Sequence, residues 1–122
     1  MASSGHLLVL KRGDVVRARL DPVEGSEQGG TRPVIILSPD RYAARAPVVL
    51  VAPLSTQKLD NLYPHEALIP AGDGTPVASK AMLNQTRVCS RSRIVSFYGH
   101  VSDDTMTEVD AALRIAVGLE KI

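Results

Sequence analysis

The segment Gly25–Leu37 reads GSEQGGTRPVIIL: a glycine-laced polar loop with one carboxylate, Glu27, delivers an arginine, Arg32, to the mouth of an apolar run. A guanidinium keeps its charge at any physiological pH, so burying it without a partner is very costly. It either pairs with a carboxylate of the chain, Glu27 or Asp40 by charge patterning, or receives an anion from outside. The glycines leave backbone N–H groups accessible, and the guanidinium fork matches phosphate or carboxylate geometry. Residue types alone leave both readings open.

Two further stretches hold polar chemistry. Leu54-Ser55-Thr56-Gln57 closes an apolar run with two hydroxyls, which either cap a turn or form an oxyanion clamp beside the arginine-bearing loop. Gln85-Thr86-Arg87-Val88-Cys89-Ser90-Arg91-Ser92-Arg93 places three arginines in seven residues. These make either a solvated face or a track for a phosphate backbone, with Gln85 reading a base edge. The histidines, His6, His65 and His100, lack metal-ligand spacing, so no zinc site is expected. Cys89 has no local signature of a catalytic thiol and reads as an inert small residue. As the lone cysteine it also excludes an intramolecular disulfide.

Those side chains need a scaffold, and 122 residues suffice for one domain with a single modest core. Residues 1–10 read as an N-terminal tail and 11–122 as that domain. Hydrophobic content of 44% with mixed charge argues against disorder. The aromatic residues are Tyr42, Tyr63, Phe97 and Tyr98, so the core must be built from Val, Ile, Leu and Ala. The net charge of +1 hides an asymmetry: Asp103–Ile122 holds five acidic and two basic residues, hence −3, which leaves +4 on the first 102. A mildly basic body is compatible with an anionic partner, without the charge of a strongly basic nucleic-acid binder. No apolar run is long enough to cross a bilayer, and the opening MASSGHLLVLKRG lacks the cationic start and cleavage site of a signal peptide. A soluble cytoplasmic protein is expected.

Alternation in DVVRARL (14–20) puts Val16, Ala18 and Leu20 on one face of a half-buried strand that Asp21-Pro22 ends. Pro33 suits a strand start or edge, so Val34–Leu37 is expected as a short central strand. Ser38-Pro39-Asp40 marks a helix start good for one turn, through Tyr42 to Ala44. Val48–Leu54 is a β-branched third strand with Pro53 near its end. Residues 55–64 read as loop. Further strands are expected at Glu66–Ile69, Pro76–Ala81, Leu83–Val88 and Ile94–Val101, with a turn at Ala71–Gly74. Helical spacing is clear only in Met106, Val109, Leu113, Ala116 and Val117. Ser102 or Thr105 would cap that helix, and Asp103, Asp104 and Glu108 suit the positive end of its dipole. The pattern predicts a mainly β, α+β fold: a small curled antiparallel sheet with a C-terminal α-helix packed across it.

Lys11-Arg12-Gly13-Asp14-Val15, Asp21-Pro22, GSEQGGTRPVIIL with Ser38-Pro39, VAPLSTQ (51–57) and Tyr63-Pro64 together resemble the MazF/PemK family of toxins from toxin–antitoxin modules. The segment from Val101-Ser102-Asp103 through Leu119 is also similar, so the likeness runs over nearly the whole chain from Lys11. Its most specific part is G-S-E-Q-x-G-x-R-P at Gly25–Pro33, set at the right distance from VAPLSTQ.

The resemblance implies an SH3-like, CcdB-like antiparallel β-barrel with a C-terminal α-helix, assembled as a homodimer. It implies a metal-independent, cofactor-free endoribonuclease that cuts single-stranded RNA, often mRNA, at short sequences. Attack by the 2′-hydroxyl would leave a 2′,3′-cyclic phosphate and a 5′-hydroxyl. Arg32 matches the family's essential arginine at the R-P step, Ser55 the position of a common catalytic threonine, and Glu27 the acidic loop residue, here the candidate base. Serine in place of threonine, with Thr56 next to it, leaves open which hydroxyl acts. Gln28, Thr31, Thr56, Gln57, Gln85 and Arg87 are the implied RNA contacts. Because the nucleophile comes with the substrate, the enzyme must hold an in-line geometry and stabilise charge on the phosphorane. The implied partner is an antitoxin whose acidic, disordered tail folds over the RNA groove. Two other readings stay open. One is a barrel like the CcdB gyrase poisons, which needs no arginine paired with a hydroxyl; the other is a catalytically inactive barrel that binds RNA or antitoxin only.

Overall fold

The computed structural model describes residues 9–21, 24, 25, 27 and 29–122. Its elements run β1 (Asp14–Arg19), β2 (Thr31–Ile36), α1 (Asp40–Ala43), β3 (Val48–Ser55), β4 (Glu66–Ile69), β5 (Ser79–Met82), β6 (Arg87–Ser90), β7 (Ile94–His100) and α2 (Asp103–Ala116). The strands form one antiparallel sheet in the order β4-β5-β3-β2-β1-β7, with β6 joined to β3. No helix among the described residues is long and apolar enough to cross a membrane.

Strand β3 organises this sheet. One of its edges pairs with β2; the other pairs first with β6, from Val48 to Val51, and then with β5, at Leu54 and Ser55. The chain must therefore leave one ladder and join the other between Met82 and Arg87. It does so in a 3-10 turn, Leu83–Gln85, closed by the N–H and hydroxyl of Thr86 on the Leu83 carbonyl at 3.2 and 2.6 Å. The strand expected at Leu83–Val88 is thus broken: its start is this turn, and its end belongs to β6. Likewise β5 begins at Ser79 rather than Pro76.

Alternation sorts the apolar side chains to two faces. Val15, Ile35, Ala52, Leu54, Ile69 and Ala81 meet Val109 and Ala112 of α2. On the opposite face Val16, Ala18, Val34, Ile36, Val51 and Ile94 meet one another, with Leu10, Leu20 and Ala43 filling in. With no second layer over it, such a face is buried only by curling on itself. Register shifts between β1 and β7, at Val15/Val16 and Arg17/Ala18, supply the local twist that curling needs. All four aromatic side chains lie at the surface, so aliphatic burial, roughly 1.5–3 kcal/mol per large side chain, carries the fold.

Two polar devices fix the ends of the helices. Ser102 caps α2, its Oγ accepting the Thr105 N–H at 3.2 Å, and Asp73 in turn accepts the N–H and hydroxyl of Ser102 at 2.7 and 3.0 Å and the hydroxyl of Thr105. Gly74 makes that reach possible by crossing the end of β7 at φ +80°, where a Cβ would come within 2.9 Å of Val101 Cγ1. At α1 the cap is Pro39, and Ser38 instead accepts the Leu50 N–H at 2.8 Å. Arg91, 3% exposed, closes the other end of α1: Nε donates to the Ala46 carbonyl at 2.7 Å and Nη2 to the carbonyls of Tyr42, at 3.4 Å, and Ala43. Burial lowers the pKa of this guanidinium.

Two outcomes follow. Arg91→Ala should lower stability by about 3 kcal/mol, since several enclosed carbonyls lose a charged donor, and Arg91→Lys should restore little of it because an ammonium has no fork. A urea midpoint unchanged from the parent contradicts this. Burial alone would raise the Asp73 carboxyl, but the hydrogen bonds from Thr105 and Ser102 outweigh it and hold the group below its ordinary value. A carboxylate depressed in the folded state stabilises the fold above its unfolded pKa and ceases to as pH falls through its folded one. Thermal stability should fall as pH drops below about 4, with a shallower fall in Asp73→Asn; identical acid limbs in the two proteins would exclude Asp73 as a contributor.

Candidate active site

The pairing of β2 with β3 runs Ile36↔Val51, Ile35↔Ala52, Val34↔Pro53. Just before it, the Leu37 N–H donates to the Leu50 carbonyl at 2.8 Å, which marks Leu37/Leu50 as a hydrogen-bonding position. Alternate positions, Ile35/Ala52 and then Pro33/Leu54, are of the same kind. Pro33 has no N–H to give, so the ladder stops there. The Leu54 carbonyl, deprived of that donor, receives Nη1 of Arg32 in a long contact of 3.5 Å, while Nε of Arg32 donates to the Gly29 carbonyl at 2.9 Å. Pro53 sits where no partner needs it, because the β6 ladder ends at Val51 and the β5 ladder starts at Leu54.

Extended past Pro33, that register would set Arg32 opposite Ser55, and the two residues line the same cleft. On its other side Ser55 pairs directly with Lys80 of β5. Arg32, Ser55 and Lys80 thus stand in a row across three adjacent strands. The row lines a cleft of about 460 Å³, completed by Pro33, Leu54, Thr56, Gln57, Ser79 and Met82. Ser55 Oγ accepts the Gln57 N–H at 3.1 Å, which leaves its own proton to donate elsewhere.

Arg32 makes no ion pair among the described residues. Asp40 accepts the Arg12 N–H at 2.8 Å, and Glu27 accepts the Glu24 N–H at 3.0 Å. Neither carboxylate that charge patterning offered, Glu27 or Asp40, forms an ion pair with Arg32 among the described residues. Glu27, Gln85 and Arg87 line a second cleft, about 160 Å³, with Pro53, Asn84 and Thr86. Pro53 and Ser55 are two apart on β3 and share a face, so this smaller cleft adjoins the first. Thr31, exposed at the start of β2, lines neither, and Gln28 lies outside the described residues.

The structure therefore brings Arg32, Ser55, Thr56 and Gln57 together and sets Glu27, Gln85 and Arg87 next door. The three arginines of the basic stretch turn inward. Arg91 is buried at α1, Arg87 Nη1 donates to the Leu20 carbonyl at 3.0 Å, and Arg93 donates to the carbonyls of Arg19, at 3.3 Å, and Asp21. Arg91 is neither part of a solvated face nor available to a phosphate. Burial pushes the Cys89 thiol up, against the opposing pull of Arg87 and Arg93, and keeps it protonated and unreactive.

Residues 11–117 match the family described as PemK-like, MazF-like toxin of type II toxin-antitoxin system. The chain belongs to this family. It is 36% identical over 113 residues to Endoribonuclease EndoA of Bacillus subtilis (strain 168), spanning 92% of this chain and 97% of that protein. Among solved structures, MazF (Form-I) of Deinococcus radiodurans matches with a TM-score of 0.77 at 29% identity, covering 90% of this chain and 97% of that one. A MazE-MazF structure (Form-II) from the same organism matches at 0.71 and 27% identity, covering 92% and 98%. The expected architecture of a PemK/MazF-like toxin, mainly β and antiparallel with a C-terminal helix, is the one observed.

One residue of the toxin's cleft wall, Lys80, and its partner Glu66 escaped the sequence reading. Lys80 is 6% exposed, and its Nζ lies 3.2 and 3.3 Å from the two carboxylate oxygens of Glu66, a side chain just as enclosed. Glu66 also accepts the Tyr63 N–H at 3.0 Å, below a Tyr63–His65 stack with ring centroids 5.3 Å apart. The available signal was a lysine inside the apolar run Ala78–Leu83; its partner becomes visible only once β4 is laid against β5.

Pro33→Ala should supply the N–H that faces the Leu54 carbonyl. The amide of residue 33 should then be protected in hydrogen exchange as the ladder gains a bond, and Arg32 should lose its contact with Leu54. Rapid exchange of that amide would contradict this register.

Proposed function

We propose that this toxin-family protein is an endoribonuclease that cleaves single-stranded RNA without a metal ion, by attack of a 2′-oxygen on the adjacent phosphate. The observation that carries the reading is that Arg32 and Ser55 line one cleft, with no carboxylate on the guanidinium among the described residues. A phosphate seated on that pair receives two fixed N–H donors from Arg32 and the Ser55 hydroxyl on its non-bridging oxygens. Those donors stabilise the charge that builds up on the phosphorane. Ser55 rather than Thr56 is the acting hydroxyl in this reading, supported by its place in the β3–β5 ladder on the wall of the cleft it shares with Arg32. Glu27 is the only carboxylate among the residues that line the two clefts, which supports it as the base for the 2′-hydroxyl. Products are a 2′,3′-cyclic phosphate and a 5′-hydroxyl.

Nucleotides flanking the cut lie over Thr56 and Gln57 on one side and toward Gln85 and Arg87 in the adjoining cleft on the other. Thr31, at the start of β2, and Gln28 complete the RNA contacts of this reading. The protein works in the cytoplasm, where its RNA is, and assembles as a homodimer on the family pattern. The name EndoA carries supports the activity, and the MazE-MazF structure supports an antitoxin partner; the acidic tail of that partner is our reading from the mildly basic body. A gyrase-binding barrel has no use for an arginine aligned with a hydroxyl in a cleft.

Purified, antitoxin-free protein incubated with a long single-stranded RNA in excess EDTA should give discrete new 5′ ends. Arg32→Ala should lower the rate by about 10²–10³-fold with an unchanged circular dichroism spectrum, and Ser55→Ala should cost more than Thr56→Ala. Undiminished cleavage by a folded Arg32→Ala protein would sink the assignment.

A further inference from the structure

Cleavage of this kind moves two protons. One leaves the attacking 2′-hydroxyl; the other must reach the 5′-oxygen as its bond to phosphorus breaks. A positioned proton donor for such a step is worth about 10²–10⁴-fold. The main cleft offers few. The hydroxyls of Ser55, Thr56 and Ser79 and the amide of Gln57 hold their protons too tightly, and the Arg32 guanidinium is a weaker acid than an ammonium. Lys80 carries the one ammonium in the lining.

Its placement suits the task. Lys80 flanks Ser55 on β5 as Arg32 flanks it on β2, so a phosphate held over Ser55 has the guanidinium on one side and the ammonium on the other. Glu66 engages Nζ with both oxygens, at 3.2 and 3.3 Å, from the far side of β5; an ammonium has three protons, so these two contacts do not use all of them. The pair's side chains are 8% and 7% exposed. Stability does not account for such a pair, since apolar residues of similar size commonly replace a buried ion pair without loss. Lys80 itself lines the cleft, which sets the pair beside the place a phosphate would occupy.

We propose that Lys80 is the proton donor to the leaving 5′-oxygen and that Glu66 is the positioning residue that holds its ammonium in the cleft, a role that rests on the nuclease reading above. In the step, the 2′-oxygen bonds to phosphorus as Glu27 takes its proton. The bond from phosphorus to the 5′-oxygen breaks, its electron pair stays on that oxygen, and the oxygen takes a proton from Nζ. Lys80 is left as a neutral amine beside Glu66 and regains its proton from water. Arg32 and Ser55 are thereby left to the non-bridging oxygens.

The test compares two RNAs of one sequence, one natural and one with sulfur in place of the bridging 5′-oxygen at the cleaved bond. A thiolate leaves without a proton, so the second RNA needs no acid. The double variant Lys80→Met, Glu66→Leu removes both charges at once and leaves neither buried alone. Once its fold is verified by circular dichroism, it should cut natural RNA about 10²–10⁴-fold more slowly than the parent, and the sulfur RNA within about tenfold of it. Lys80→Arg, which keeps the ion pair but not the acidity, should show the same contrast and carries the test should the double variant not fold. Equal losses on both RNAs, or parental rates on both, overturn the role of Lys80 alone. A parent that cuts neither RNA overturns the nuclease reading, and this role with it.

Discussion

A proline cannot give the hydrogen bond that a sheet asks of every second backbone N–H, and the cleft of this toxin is built on that lack. Pro33 ends the β2–β3 ladder one step before Arg32, and Pro53 stands in the gap between the two strands that share the other edge of β3. Without them β2 and β3 could zip together to their ends, and the Leu54 carbonyl would belong to the ladder. With them, that carbonyl is left for the guanidinium, which is steered onto the same face as Ser55. The arginine-proline step is thus one device: the second residue stops the pairing, and the first uses what the stop exposes.

The charges of the chain divide by how they are spent. Arg91, Arg87 and Arg93 satisfy backbone carbonyls, and Arg12 holds Asp110 of α2 at 2.6 Å while its Nε donates to the Leu37 carbonyl. Exposed pairs such as Arg114 with Glu120, 3.8 Å apart, are worth about 0–1 kcal/mol and orient little. Arg12, Arg87, Arg91 and Arg93 thus support the fold, while Lys11, Arg17, Arg19, Arg41, Arg45 and Lys58 stand exposed. Within the two clefts the cations are Arg32, without a carboxylate among the described residues, Lys80 held against Glu66, and Arg87.

Patterning within a few residues was legible from the chain itself. Period-two alternation placed Val16, Ala18 and Leu20 on one face, period 3.6 found the terminal helix, and Arg32-Pro33 with VAPLSTQ marked the cleft. These are local properties: side-chain direction along a strand or helix, and the missing N–H of a proline, hold wherever the segment ends up. Which strands meet is not local. That β3 serves β6 and then β5 broke an apparently continuous strand at Leu83–Gln85, because neither ladder could continue through it. The same non-local pairing brought Lys80 to Ser55 and Glu66 to Lys80 and turned Arg91 from a surface cation into a buried clasp. A charged side chain declares its chemistry in the sequence, but its partner is set by strand pairings between distant segments, and those only the tertiary structure decides.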